Sequence, residues 1–287
     1  MTTQQTTHQT SAPPTTTTVI GGGGTRIHVR EWGPPDAPPI LMIHGWSGNH
    51  LCWKDQVASE LADEFRLVAL DLRGHGMSDK PLDAEQYQRP RLWAADIAAV
   101  IDQCELDRPT LVGWSYGGFV VCDFVRECGQ DDISAVNLVG SAVTLNERFD
   151  DIGPAFLAHA PGGADPDLPT RIAALRRFWR SMTVQPLSRE ELETGLSGSV
   201  AVPPQVLGAL ISRQIDSDDV LRALRVPVLV SHGRQDQIVS ASMAEHVLQV
   251  CPTAAASWYD EVGHMPFTED AGRFNRELAQ LARGAVR

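Results

Sequence analysis

The chain has 287 residues, 43% of them hydrophobic, and a formal net charge of −12 at neutral pH. That length and apolar content suit one large α/β domain carrying an insertion. The acidity counts against phosphate backbones and anionic headgroups, so neither nucleic acid nor a membrane is an expected partner.

In chain order, Met1–Thr18 is almost all Thr, Gln, Ser and Pro. It has too little apolar surface to offset chain entropy and is expected to be a disordered tail. Gly21–Gly24 then reads as a turn between short strands around Thr17–Ile20 and Arg26–Trp32. Apolar runs bounded by turn residues follow at Ile40–Ile43, Leu67–Leu70, Leu111–Gly113, Ala135–Val139 and Val228–Val230. They do not alternate with polar residues, as expected of parallel strands covered on both faces. Helical stretches separate or follow them at Cys52–Glu64, Arg91–Cys104, Phe119–Cys128, Ala241–Val250 and Ala271–Ala282. The fold class expected is α/β, a doubly wound and mostly parallel sheet with helices on both faces.

One interval breaks this rhythm. Residues 146–224 are far longer than a crossover helix needs, with helical pieces at Leu168–Met182, Ser188–Gly195 and Pro204–Ile215. Pro/Gly-rich joints fall at Pro161–Gly163 and Pro203–Pro204. The segment is expected to be a helical cap inserted into a core made of 19–145 and 225–287.

The chemistry is concentrated in three places. Val112-Gly113-Trp114-Ser115-Tyr116-Gly117-Gly118 carries G-x-S-x-G where a strand gives way to a helix. In such a nucleophile elbow the serine occupies a strained turn, its hydroxyl presented at a helix N-terminus that favours developing negative charge. A serine needs a base. Of 9 histidines, His264 in Glu261-Val262-Gly263-His264-Met265-Pro266 lies beyond the last predicted strand, where a loop can project an imidazole over the strand ends. Asp236, in His232-Gly233-Arg234-Gln235-Asp236, is the expected third member, fixing the tautomer and stabilising the imidazolium. The order Ser, Asp, His is the one this architecture uses. Oxyanion donors are expected from the backbone N–H groups of Tyr116 and of Trp46, in the loop His44-Gly45-Trp46-Ser47-Gly48. His44 is expected to shape that loop rather than act as a base. Trp46, Phe178, Trp179 and Met182 are candidate substrate-pocket residues, the last three at helical spacing. The arginines Arg171, Arg176, Arg177 and Arg180 read as a solvated helix face.

These segments, together with Asp71-Leu72-Arg73-Gly74-His75-Gly76-Met77-Ser78, resemble the α/β-hydrolase family from about residue 26 to residue 283. The resemblance implies the same Ser115–Asp236–His264 assignment and makes Asp71–Ser78 a structural turn, with His75 outside the active site. It points to the branch of esterases, lactonases, cofactor-free haloperoxidases or perhydrolases, and carbon–carbon bond hydrolases. Serine at 115 counts against dehalogenase and epoxide hydrolase chemistry, which needs an aspartate there. Gly48 stands where the cofactor-free dioxygenases of this fold carry histidine. The expected activity is therefore cleavage of a carboxylic ester or similar activated acyl bond, with a small-molecule acyl substrate. Perhydrolysis and carbon–carbon cleavage are the alternatives; a non-catalytic ligand-binding role is the reading from another class.

No ligand cluster or phosphate-cradling motif is present, so neither a metal nor an organic cofactor is expected. The 5 cysteines are odd in number and include no C-x-x-C pair, and the N-terminus lacks a basic, then apolar, leader. A cytoplasmic protein is expected, with self-association left open.

Overall fold

The apolar runs form the centre of one eight-stranded sheet in the computed structural model, which describes residues 13–145 and 151–285. The strands are β1 (Thr15–Ile20), β2 (Arg26–Trp32), β3 (Pro39–Ile43), β4 (Arg66–Leu70), β5 (Thr110–Trp114), β6 (Ala135–Val139), β7 (Val228–Gly233) and β8 (Ala254–Tyr259). They lie in the order β1-β2-β4-β3-β5-β6-β7-β8. The β1–β2 and β2–β4 pairs are antiparallel, and every other pair is parallel. β5 and β6 are buried along their whole length, which accounts for their mostly apolar composition; the polar Asn137 in the middle of β6 accepts from the Ser231 hydroxyl at 3.0 Å.

Register decides where the loops gather. Ile43 pairs with Gly113, Trp114 with Val139, and Val139 with Ser231, so β3, β5, β6 and β7 end on one edge. The segments that follow them (His44–Gly48, Ser115, Gly140 and Asp236) therefore leave the sheet side by side. This is the edge where ligands bind in parallel α/β sheets.

Three expectations need correction. Thr15–Thr18 belong to β1, not to a disordered tail: β-branched threonines suit a strand, and they pair with His28–Glu31 beside the buried Val19. Residues 1–12 lie outside the described residues. The stretch Cys52–Glu64 is not one helix but short turns, Lys54–Val57 and Leu61–Glu64 after a 3-10 turn at His50–Trp53. The Ser59 hydroxyl donates to the Gln56 carbonyl at 2.7 Å and accepts from the Leu61 N–H at 3.2 Å, replacing the helical ladder there. Pro161 is not a joint but sits in the last turn of the helix Pro154–Gly163, where its missing N–H removes only one ladder bond.

Between β6 and β7 the chain forms the helices Pro154–Gly163, Leu168–Arg180, Arg189–Val200, Pro204–Ile211 and Asp218–Ala223. Leu168–Arg180 starts at an Asp167 cap and Arg189–Val200 at a Ser188–Glu191 capping box, both local signals. Isolated bridges tie Ile152 to Val239 and Thr144 to Asp216. Among the described residues no single helix is long and apolar enough to cross a membrane.

Candidate active site

Ser115 follows β5 directly and caps the helix Tyr116–Cys128, with φ 54° and ψ −116°. A non-glycine residue at positive φ is strained, and the strain persists because its neighbours fix it. The Ser115 N–H donates to Val139 at 2.9 Å, and its carbonyl accepts from Gly118 at 2.9 Å. Gly117 is required by close approach, since a Cβ there would meet the Ile43 carbonyl oxygen at 2.4 Å. The loop after β3 also crosses the nucleophile tightly; a side chain on Gly45 would come within 2.9 Å of Ser115 Cβ.

Asp236 and His264 are brought into contact. His264 Nδ1 lies 2.7 Å from Asp236 Oδ2, and both side chains are almost fully buried. A carboxylate only accepts hydrogen bonds, so Nδ1–H is the donor in this contact. The other oxygen, Oδ1, accepts from the N–H groups of Ile238 at 2.7 Å and Val239 at 3.0 Å, which fixes the carboxylate in its loop. The His264 backbone is held too: its N–H donates to Met182 at 2.6 Å, and its carbonyl accepts from Trp114 Nε1 at 3.0 Å.

The Trp114 ring lies 5.5 Å from the His264 ring, so the residue before the nucleophile packs against the base. Among the described residues Ser115 Oγ has no protein hydrogen-bond partner. No hydrogen bond joins it to His264; in enzymes that use a serine and a base, that bond is often long or poorly aligned before substrate arrives. Gly140, at φ 48°, lies under the Asp236–His264 pair; a Cβ there would meet His264 Nδ1 at 3.1 Å and Asp236 Oδ2 at 3.3 Å. Sequence reasoning passed over Gly140, although a glycine placed directly after a buried strand is the available signal.

Trp46 sits in the loop above Ser115. Its indole Nε1 donates to Leu207 at 3.2 Å, and its ring meets Phe178 and Phe156 edge-on at 5.0 and 5.7 Å. The backbone N–H groups of Trp46 and Tyr116 donate to no protein acceptor among the described residues. A cavity of about 120 Å³ is lined by both of these residues and by Ser115.

The other three pocket candidates do not line that cavity. Phe178 supports it from behind, through Trp46. Trp179 turns to the helix Arg189–Val200, where its Nε1 donates to Ser199 at 2.7 Å. Met182 holds the His264 loop through its carbonyl. Each packs inward onto a different neighbour, which helical spacing cannot distinguish. Arg213 lines the cavity instead, from just past the helix Pro204–Ile211, and sequence reasoning missed it.

His44 and His75, on the same side of the sheet, are held by local hydrogen bonds. His44 Nδ1 donates to Gly45 at 2.8 Å while Nε2 accepts from Leu72 at 3.0 Å, so both nitrogens are used in the neutral form. Burial pushes the His44 imidazole down to about 4; burial and the nearby His44 push His75 down to about 3. Both values lie below the 6.5 of a free imidazole, so the unfolded chain takes up protons first as pH falls. Their stabilising contribution is complete above about pH 6.5 and is lost as pH falls toward 4, at roughly 2 kcal/mol per histidine by pH 5. Urea unfolding at pH 7 and pH 5 is therefore expected to show a lower unfolding free energy at pH 5. Equal stability at the two pH values would contradict the buried neutral assignment.

Comparison with known proteins gives the family. The alpha/beta hydrolase fold family matches residues 38–271. The chain belongs to the α/β-hydrolase family. It is 33% identical to an esterase, RhEst1, from Rhodococcus sp. ECU1013, with a TM-score of 0.88 over 94% of this chain and 99% of that one. A putative aryl esterase from Burkholderia cenocepacia is 30% identical, with a TM-score of 0.89 over 95% and 99%. The bifunctional esterase/perhydrolase DCH of Acinetobacter calcoaceticus is 25% identical over 90% of this chain and 96% of its own. As an α/β-hydrolase the protein is a hydrolase, and ester-cleaving enzymes stand among its relatives.

Proposed function

We propose that this α/β-hydrolase is a serine esterase that forms an acyl-enzyme on Ser115. The observation that carries the reading is the buried Asp236–His264 pair, locked at 2.7 Å and packed against the residue that precedes a strained serine. In the first step Ser115 Oγ attacks the ester carbonyl carbon and His264 Nε2 takes its proton. Negative charge on the carbonyl oxygen is met by the N–H groups of Trp46 and Tyr116. The carbon–oxygen bond to the alcohol then breaks, and His264 returns the proton to the leaving alkoxide. Water, deprotonated by the same imidazole, attacks the acyl-enzyme; the acid is released and Ser115 recovers its proton.

Residues 146–224 act in this reading as a cap over the site, and 19–145 with 225–287 as the core. Leu207 and Phe178, which hold Trp46, belong to that segment. A cytoplasmic location belongs to the same proposal and is supported by five free cysteines. The test is turnover of p-nitrophenyl esters of increasing acyl length. Sustained turnover is expected for short acyl groups, given the small cavity, and a single stoichiometric release would mark a ligand-binding protein.

Perhydrolysis is the second reading, favoured by the relative described as an esterase/perhydrolase. Hydrogen peroxide would then take the place of water against the same acyl-enzyme, releasing a peracid. Acetate-dependent bromination with peroxide would report it.

A further inference from the structure

We propose that Glu269 is a positioning residue for His264, its carboxylate clamping the loop that carries the base onto the segment that leaves the helix Leu168–Arg180. The inference rests on the esterase reading and adds to it a residue outside the triad on which the rate depends.

Glu269 ends the short helix Pro266–Glu269, which follows the base directly after Met265. Its two carboxylate oxygens are divided between two stretches of chain. Oε1 accepts from the N–H of Gly263, the residue before His264, at 2.8 Å, and Oε2 accepts from the N–H of Val184 at 2.7 Å. The same two stretches meet again at the base itself, whose N–H donates to the Met182 carbonyl at 2.6 Å. Between these bonds the backbones touch. A Cβ on Gly263 would lie 2.7 Å from the Met182 carbonyl oxygen and 3.2 Å from Thr183 Cα. Gly263 and His264 are thereby pinned to Met182–Val184, with no room for a side chain between them.

The donors explain why a carboxylate occupies this position. Glu269 is half-buried and forms no ion pair among the described residues. Burial raises its carboxyl above the usual carboxylate range, and the backbone N–H groups of Val184, Gly263, Gln185 and Met265 act against that rise. Hydrogen bonds to an ionised acceptor are stronger than those to a neutral one. An amide here would offer one acceptor oxygen to the two N–H groups and turn its own NH2 toward one of them. The effect reaches the imidazole along a short covalent path, because Gly263 is joined to the residue that must keep its 2.7 Å contact with Asp236. A base displaced slightly from its working position loses rate with little change in substrate binding, since proton transfer depends steeply on geometry.

The test compares Glu269→Gln and Glu269→Ala with the wild type at equal folded concentration. The kcat for p-nitrophenyl acetate is expected to fall about 10-fold in Glu269→Gln and about 100-fold in Glu269→Ala, with KM within about twofold of the wild type. In a His264→Ala background, Glu269→Ala is expected to change the rate of fluorophosphonate labelling by less than about twofold, because a clamp on the base then has nothing to position. The downfield proton NMR resonance that His264→Ala removes, that of Nδ1–H on Asp236, is expected to broaden or vanish in Glu269→Ala. Unchanged kcat in the Glu269 variants, a loss confined to KM or to the unfolding midpoint, or an equal loss with and without His264 would each overturn the positioning role. Glu269→Gln keeps the side-chain volume and one acceptor, and it carries the kinetic test if Glu269→Ala fails to fold. Failure of the esterase reading is seen separately, as absence of p-nitrophenyl acetate turnover by the wild type. The resonance needs no turnover, and an identical Nδ1–H signal in the wild type and both Glu269 variants would sink the clamp by itself.

Discussion

Ser115→Ala is expected to lower kcat for p-nitrophenyl acetate by roughly 10⁶-fold, and His264→Ala by a similar factor. In the proposed mechanism each removes half of a unit that works only when whole, since the hydroxyl is a poor nucleophile without a base and the base has nothing to activate without the hydroxyl. The double variant is therefore expected to lose no more than either single one. Asp236→Asn is expected to cost less, about 10⁴-fold, because the imidazole survives but its tautomer is no longer enforced at Nδ1. The amide would also alter the loop anchored on the Ile238 and Val239 N–H groups. Stopped-flow and steady-state kinetics on folded variants check these figures. Near-normal kcat in His264→Ala would remove the base from the mechanism.

The largest stability loss is expected at Arg73, far from the chemistry. Arg73 and Asp96 are both fully buried and paired through two contacts, Nε to Oδ2 at 2.6 Å and Nη2 to Oδ1 at 2.7 Å. The same guanidinium donates to the carbonyls of Gly22 at 2.9 Å, Leu92 at 3.1 Å and Gln86 at 3.2 Å. It thereby ties the β1–β2 turn and the helix Pro90–Gln103 to the turn after β4. Arg73→Leu leaves the Asp96 charge buried without its counter-ion and strips three carbonyls of a donor. Destabilisation of about 3–5 kcal/mol is expected. Arg73→Leu/Asp96→Leu should recover part of it, since the stranded charge is gone. Urea denaturation followed by circular dichroism measures both. A loss below about 1 kcal/mol in the single variant would mean the pair is dispensable.

The contrast between these two sites explains what was legible in the sequence. The elbow at Ser115 is a local event: strand, strained residue and helix are contiguous, and Gly117 marks the close approach by its missing side chain. The central strands were legible for the same reason, because burial on both faces writes a mostly apolar run without alternation. β8 was not, since Ala254–Ala256 are weak strand formers and the strand pairs only with β7 at the sheet edge. Threonines at 15–18 read as polar low complexity, and pairing with β2 overrode that composition.

Long-range pairs left no local trace. Arg73 reaches Asp96 across 23 residues, and Arg213 reaches Asp123 across 90. The candidate pocket shows the same limit. Helical spacing makes Phe178, Trp179 and Met182 pocket candidates, but none of the three lines the Ser115 cavity, because each packs onto a different neighbour as the helix turns. Trp46 lines the Ser115 cavity and the other three do not.

The central claim is a covalent acyl intermediate on one serine, driven by one imidazole. The direct measurement is labelling with a fluorophosphonate probe followed by peptide mass spectrometry, in the wild-type protein and in His264→Ala. A single adduct on Ser115, formed rapidly in the wild type and at least a thousand-fold more slowly in the variant, is the predicted result. An adduct on another residue, or equal labelling rates in the two proteins, would contradict the account.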